Sequence, residues 1–373
     1  MSRRILFLTG TRADFGKLKP LIRATSTDPE LDYLIVATGM HLDGKYGHTE
    51  YEISKSGFTN ITSFSNSGSD SSMDLTLART ISGLSTVLRV YKPDLLVIHG
   101  DRIEALAGAI TGTLNNVRVA HVEGGEFSGT VDEHLRHSIT KLAHVHYVAN
   151  ESARDVVLQL GEHEDTIWII GSPEIDVMLS DELPDLDEVL TYYQIPFREF
   201  ALLAFHPVTT ELSAMAEQAK SLVEAVQESS DNYIVVYPNN DHGSEIILSE
   251  LLKLSANPRI RIIPSIRFEA FQSLLKNAQY IIGNSSSGVR EAHVHGTPAI
   301  NLGSRQSRRN QHRLILESAA DKASVLAAMQ KVRTVKREPT LTFGHGQSAS
   351  KFLDSMRSER LWDTPIQKVF VQR

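Results

Sequence analysis

The chain has 373 residues, no cysteine and a formal net charge of −7. That length suggests two domains of ordinary size, the acidity removes the basic footprint of a nucleic-acid binder, and the lack of cysteine excludes disulfides, thiolate metal sites and cysteine nucleophiles. The first apolar run is cut short at Thr9-Gly10-Thr11-Arg12, too early for a secretory leader. No apolar stretch approaches the roughly 18 residues of a membrane span, so a soluble cytoplasmic protein is expected.

In chain order, a strand is predicted over 4–8, then a turn at 9–16 and a helix over 17–25. The turn is not G-x-G-x-x-G, so a dinucleotide site is poorly supported. A strand over 33–38 leads into a polar loop at 39–47. A Ser/Asn/Gly/Asp loop follows at 65–72, then a long helix over 73–91. The run Asp94-Leu95-Leu96-Val97-Ile98-His99-Gly100-Asp101-Arg102 reads as a wholly apolar strand passing into a helix over 103–114. Residues 118–125 repeat that design and end in Glu123-Gly124-Gly125, after which Gly129-Thr130 breaks the chain and Asp132 opens another helix. Strands at 144–148 and 166–170 flank a helix at 151–160. His144 and His146 fall on one face of the first of these strands, where packed or surface histidines are expected rather than a metal site.

The acidic, proline-containing segment 180–187 marks a boundary. The alternation then restarts, with strands at 200–205, 233–237, 260–263, 280–282 and 299–302 and helices at 213–228, 244–255 and 268–277. The fold class is α/β, with two tandem doubly wound, Rossmann-like domains facing a cleft. The expected domains are 1–172, 173–347 and a helical segment at 348–373 that packs back on the protein.

In parallel sheets covered on both faces, ligands bind beyond the carboxyl ends of the strands. Asp101 and Glu123 stand at two such ends. Taken singly, Asp101 and Asp132 read first as helix N-caps. Glu123 lies between a buried strand and two glycines that let a ligand approach the backbone, and three carboxylates converging on one sheet edge shift the reading toward function. In the second domain, Gly283-Asn284-Ser285-Ser286-Ser287-Gly288 runs from a strand into a helix, offering free N–H groups and hydroxyls to a diphosphate. Glu291 is placed to reach an attached ribose, and the basic loop holding Arg305 to neutralise the phosphates. An ordinary serine-capped helix and a solvated charge run are the plain alternatives.

Thr11-Arg12-Ala13-Asp14, Gly39-Met40-His41, His99-Gly100-Asp101-Arg102, His121-Val122-Glu123-Gly124-Gly125, Arg136-His137-Ser138-Ile139, His206-Pro207, residues 283–288 and Gly303-Ser304-Arg305-Gln306 occur in order along most of the chain. Together they resemble the hydrolysing UDP-N-acetylglucosamine 2-epimerases of bacterial sialic acid synthesis, which are similar to the epimerase half of the animal bifunctional enzyme. The resemblance implies a GT-B-type fold, with UDP in the second domain and the sugar in the cleft. It also implies that Asp101, Glu123 and Asp132 are catalytic carboxylates and His206 a cleft histidine. Ser285, Ser286, Glu291 and Arg305 then match positions that hold diphosphate and ribose, while Arg12, Arg102, Asn239 and Asp241 match further ligand contacts. Gly16 stands where the animal enzyme has a serine, so no side-chain contact is expected there.

No metal or cofactor is expected. The partners expected are a UDP-sugar and further copies of the chain as a homo-oligomer, with neither nucleic acid nor membrane. A glycosyltransferase is the main rival, because the architecture is shared. The same reaction on the 2,4-diacetamido-trideoxy sugar of the legionaminic acid route, a nucleotide-sugar sensor, and a non-hydrolysing epimerase are others. The last lacks support at 11–14, which does not resemble the Arg-Pro-Glu turn of those enzymes.

Overall fold

The computed structural model describes residues 2–44, 49–68, 72–128, 131–239, 241–307, 309 and 312–371. Parts of the expected loops at 45–47 and 69–71, the break at 129–130, Asn240 and Arg308 lie outside the described residues. The chain forms two units, one of Met1–Glu126, Asp132–Ser180 and Phe343–Arg373, the other of Phe127–Val131 and Asp181–Thr342.

The first unit contains β1 (Arg3–Thr9), α1 (Arg12–Thr27), β2 (Leu31–Ala37), α2 (Tyr51–Lys55), β3 (Ile61–Ser63), α3 (Met73–Tyr91), β4 (Leu95–His99), α4 (Ile103–Leu114), β5 (Arg118–Val122), α5 (Val131–Leu142), β6 (Val145–Val148), α6 (Glu151–Gln159), β7 (Ile167–Ile169) and α7 (Pro173–Met178). All pairings of its sheet are parallel, in the order β3-β2-β1-β4-β5-β6-β7. The strand order reverses between β1 and β4, the switch point where such sheets open a crevice. Alternate residues of the strands feed two cores. Ile5, Phe7, Leu95 and Val97 pack with Leu18, Leu21 and Ile22 of α1, while Leu6, Leu8, Leu96 and Ile98 pack with Leu84, Leu88, Ala105 and Ile139. Burial on both faces is why these strands carry no polar alternation.

Helix α1 begins at Arg12 rather than at 17, because the Thr11 hydroxyl caps it by accepting the Asp14 N–H at 3.0 Å. Arg12 and Asp14 therefore sit in its first turn. The segment after β2 is not wholly a loop, since Gly39–Leu42 forms a 3₁₀ turn. The expected boundary at 172/173 moves to Ser180/Asp181, because α7 buries Pro173, Glu174, Ile175 and Met178 in the first unit against α1.

The second unit contains α8 (Leu186–Tyr192), β8 (Ala201–Ala204), α9 (Leu212–Glu228), β9 (Tyr233–Val236), α10 (Ser244–Leu251), β10 (Ile260–Ile263), α11 (Phe268–Asn277), β11 (Ile281–Gly283), α12 (Ser286–Arg290), β12 (Ala299–Leu302), β13 (Ile315–Ser318) and α13 (Lys322–Val332). Its sheet is parallel in the order β10-β9-β8-β11-β12-β13, with the switch point between β8 and β11. Gly283, at φ +137°, ends β11 so close to β8 that a Cβ there would lie 2.0 Å from the Ala204 carbonyl oxygen. Only glycine permits that approach.

The chain rejoins the first unit at Phe343, whose carbonyl accepts the Ser172 N–H at 2.7 Å, before α14 (Ser348–Met356) and α15 (Glu359–Trp362). The tail beyond α15 then runs along this unit. Lys368 Nζ donates to the carbonyls of Thr140, Lys141 and Ala143 at 2.6–3.1 Å, closing the C-terminus of α5, and lies 2.5 Å from buried Glu162. His144 and His146 are both interior, the first joined to Val119 N and Ile366 O, the second to Glu162. Among the described residues, no helix is long and apolar enough to cross a membrane.

Burial holds His41, His144, His293 and His295 down at about 4 and His121 at about 3. A histidine whose folded value is depressed leaves the unfolded chain binding more protons once the pH falls below about 6.5. Unfolding free energy, measured by urea titration, is therefore expected to fall steadily from pH 6.5 toward pH 4. A flat profile across that window would show that these rings are not held neutral.

Candidate functional site

His99 at the end of β4 pairs in register with Val122 at the end of β5, so Asp101 and Glu123 emerge beyond adjacent strand ends. Asp101 is not a cap. The N-cap position of α4 is Arg102, with no side-chain cap, and Asp101 Oδ2 instead accepts from Arg136 Nη2. Arg136 comes from α5 and has no exposed surface. Its Nη1 donates to the Glu123 carbonyl at 2.8 Å and to Glu123 Oε1 at 3.0 Å. One buried guanidinium thus holds together two carboxylates that would otherwise repel, in the forked geometry that arginine supplies and lysine does not. Glu123 itself has φ +71°, a left-handed conformation that costs a residue with a side chain about 1–2 kcal/mol. Strain of this kind collects at functional sites.

The other carboxylate oxygen of Glu123 faces His99. Nε2 lies 3.1 Å from Glu123 Oε2, and Nδ1 3.1 Å from Asp14 Oδ1. Burial alone would drive this ring neutral, but the close contacts and charges of Asp14 and Glu123 outweigh it and raise its pKa to about 9. Glu174 of α7 adds an oxygen, so that one donor atom each from His99, Glu123 and Glu174 lies within 4.8 Å of the others. That spacing would admit a metal ion only if the ring gave up a proton, because a histidine ligand must offer a nitrogen lone pair. His121 is the counterexample on the neighbouring strand. Its Nε2 lies 2.7 Å from the Gly100 carbonyl and its Nδ1 3.0 Å from the Thr140 hydroxyl. A carbonyl only accepts, so Nε2 carries the hydrogen and the ring stays neutral.

Asp132 is half-buried in the first turn of α5, one turn before Arg136 and on the same helix face. Arg12 and Arg102 both have carboxylates of their own unit nearby, with Arg12 Nη2 at 3.6 Å from Glu52 Oε1 and Arg102 Nε at 3.8 Å from Glu104 Oε2.

In the second unit, strand ends converge in the same way. The Asn284 side chain, just past β11, accepts the His206 N–H at 2.7 Å and donates to the His206 carbonyl at 2.9 Å. The carbonyl of Asn284 in turn accepts from Arg305 Nη1 and Gln306 Nε2, both at 3.2 Å. His206 Nδ1 accepts the Asn239 N–H at 3.1 Å, which fixes the tautomer with hydrogen on Nε2. The Asn239 amide also donates to Asp241 Oδ2. Ser285 is the N-cap of α12, its hydroxyl accepting the Ser287 N–H, and Ser286 is the first residue of that helix. Glu291 is the C-cap residue of the same short helix, 2% exposed, and accepts from Gln272 Nε2 at 2.6 Å. Its carboxylate is thus packed within the unit and held by Gln272.

The model of the UDP-N-acetylglucosamine 2-epimerase family matches residues 23–357. The chain belongs to that family. It is 43% identical to the UDP-N-acetylglucosamine 2-epimerase of Neisseria meningitidis, over 99% of both chains. It is 32% identical to the hydrolysing UDP-N,N'-diacetylbacillosamine 2-epimerase of Legionella pneumophila, over 94% of each. The Methanocaldococcus jannaschii UDP-GlcNAc 2-epimerase, solved with UDP-GlcNAc and UDP, shares its fold with a TM-score of 0.82 at 22% identity, covering 95% of this chain and 99% of that one. Membership of the family accounts for two parallel-sheet, Rossmann-like units of GT-B type.

Of the expected site residues, Asp101 and Glu123 are joined through Arg136, and Asp132 shares its helix. His206, Asn239, Asp241, Ser285 and Arg305 gather around Asn284 and the strand ends beside it. Sequence reasoning gave no role to Asp14, His99, Arg136 or Asn284, although all four lie in the motifs it used. A usable signal was present for two of them. A histidine ending a wholly apolar strand requires buried partners, and an acid three residues after a threonine cap is held at the mouth of a helix.

Proposed function

We propose that the protein is a hydrolysing 2-epimerase that converts UDP-N-acetylglucosamine and water into N-acetylmannosamine and UDP, the first step of sialic acid biosynthesis. The observation that carries this reading is the pair Asp101 and Glu123, delivered from adjacent strand ends onto one buried arginine. Inversion at C2 needs a proton to leave a carbon that the acetamido carbonyl does not activate. Expulsion of UDP from C1 supplies the drive: the C1–O bond breaks, the C2–H electrons become the C1–C2 double bond of 2-acetamidoglucal, and a carboxylate takes the proton. Water then adds to C1 while a proton returns to the opposite face of C2.

Two acid/base groups on different faces are therefore required, and Asp101 and Glu123 are assigned to them. Asp132 is assigned to the water or to orienting the ring, and His206 to the sugar side of the diphosphate. Ser285, Ser286 and Arg305 are assigned to the diphosphate, where charge-assisted hydrogen bonds stabilise the leaving group. Glu291 is assigned to the ribose, and Arg12, Arg102, Asn239 and Asp241 to further ligand contacts. The hydrolysing outcome is supported by the Legionella relative, described as hydrolysing. That relative also favours a second reading, the same chemistry on a UDP-diacetamido sugar.

The test is phosphorus NMR of the purified protein with UDP-N-acetylglucosamine and no acceptor. Free UDP is expected to accumulate. Release of UDP only after an acceptor sugar is added would make the protein a glycosyltransferase instead.

A further inference from the structure

Asp14 and His99 take no part in the chemistry assigned above, yet they complete the setting of Glu123. Its two oxygens face two different groups: Oε1 accepts from Arg136 at 3.0 Å, and Oε2 lies 3.1 Å from His99 Nε2, a charge contact rather than an aligned hydrogen bond. On the far side of the ring, His99 Nδ1 lies 3.1 Å from Asp14 Oδ1. The three side chains are 7, 12 and 5% exposed for His99, Asp14 and Glu123. Asp14 is placed by its own helix start, where it accepts the Gly10 N–H at 3.2 Å while the Thr11 hydroxyl accepts its own N–H.

Further charged and titratable groups near the ring come from α1, α5, α7 and β5. Glu174 of α7 approaches it and is balanced by Lys17 of α1 at 3.7 Å, Arg136 of α5 lies across Glu123, and His121 of β5 is neutral. A buried ion cluster of this size is not a cheap way to gain stability, since apolar groups of similar volume often serve as well. Here it ends on a residue held in a left-handed backbone, the mark of a side chain whose direction is being dictated.

We infer that Asp14 and His99 are positioning residues for proton transfer at C2: Asp14 orients the His99 ring and keeps it an imidazolium, and the ring aims the Glu123 carboxylate. No proton passes through His99. When Glu123 takes the C2 proton it becomes neutral and both cations lose a counter-charge, which favours its prompt return to the carboxylate. The inference rests on the reading of Glu123 as an acid/base group, and it holds whether the sugar leaves free or as a UDP-sugar.

The experiment is kcat/KM against pH for the wild type, Asp14→Asn, His99→Gln and Glu123→Gln, together with nitrogen-15 NMR of the wild-type histidines. In the wild type, activity is expected to persist until the ring loses its proton at about 9. Asp14→Asn is expected to move that alkaline fall downward by about one pH unit, the usual scale for removing a neighbouring carboxylate. His99→Gln is expected to lower kcat by about 10²-fold, to leave KM nearly unchanged and to abolish the alkaline limb. The wild-type NMR is expected to show His99 protonated on both nitrogens at pH 7.5.

A neutral His99 at that pH, or an alkaline limb unmoved in Asp14→Asn, would overturn the inference, and the NMR arm decides it even if the variants fold poorly. Full activity in Glu123→Gln would instead remove the reading on which it rests. Loss of folded protein with unchanged kcat and unchanged pH profile per folded molecule would mark a purely structural cluster.

Discussion

Glu123→Gln and Asp101→Asn are each expected to lower turnover by about 10²–10⁴-fold, the range for removing a positioned acid or base. UDP affinity should stay near normal, since neither side chain is assigned to the nucleotide. Both amides keep the size of the acid they replace, but they cannot accept or return the C2 proton. The two losses need not look alike: one variant is expected to release glucal, the other to hydrate it poorly when it is supplied, and that difference would assign elimination and addition. Arg305→Ala is the matching control. It should leave the acid/base groups in place and weaken UDP binding by about 1–3 kcal/mol, the usual cost of losing a hydrogen bond to a charged group. Calorimetry and single-turnover kinetics on the three variants check this. Full turnover in both amide variants would remove Asp101 and Glu123 from the chemistry.

Arg136→Met is expected to have the largest effect on stability. The side chain has no exposed surface, and it is the shared partner of Asp101 Oδ2, Glu123 Oε1 and the Glu123 carbonyl. Removing it leaves Asp101 and Glu123 close together without the guanidinium between them, and breaking a buried pair from one side typically costs about 3–5 kcal/mol. Lysine is no substitute, because a point charge cannot occupy both arms of the fork. Arg136→Lys should therefore remain better folded than Arg136→Met while losing most activity. Urea unfolding of the two variants gives the answer, and a loss below about 1 kcal/mol for Arg136→Met, the scale of an exposed ion pair, would mean the guanidinium is not the anchor described.

The parts of the fold that were legible in the sequence are those in which burial on both faces left no ambiguity. Strand 299–302 and helices 73–91, 103–114 and 268–277 have the bounds expected of them, because a mostly apolar, buried run bounded by turn residues and a long amphipathic helix are both set by local pattern. The short edge strands β3 (ITS) and β13 (ILES) were not, since three or four half-buried residues carry almost no period. The start of α1 was misplaced for a different reason: the capping hydroxyl of Thr11 decides it, and caps outweigh the apolar pattern at helix ends.

The candidate site divides along the same line. Asp101 and Glu123 were legible because a polar residue ending a buried strand points to function. Their shared guanidinium was not, because Arg136 lies 35 residues from one and 13 from the other, and only the packing of α5 on the sheet unites them. Glu291 falls at the C-cap of a short helix, and its contact with Gln272 was not legible because 19 residues separate the two.

The most direct measurement of the central claim is proton NMR of the wild-type protein turning over UDP-N-acetylglucosamine in deuterium oxide. Elimination followed by hydration predicts free N-acetylmannosamine bearing one deuterium at C2 and none at C3, with UDP released in equal amount. Free sugar without deuterium at C2, or UDP-N-acetylmannosamine persisting as the end product, would contradict it.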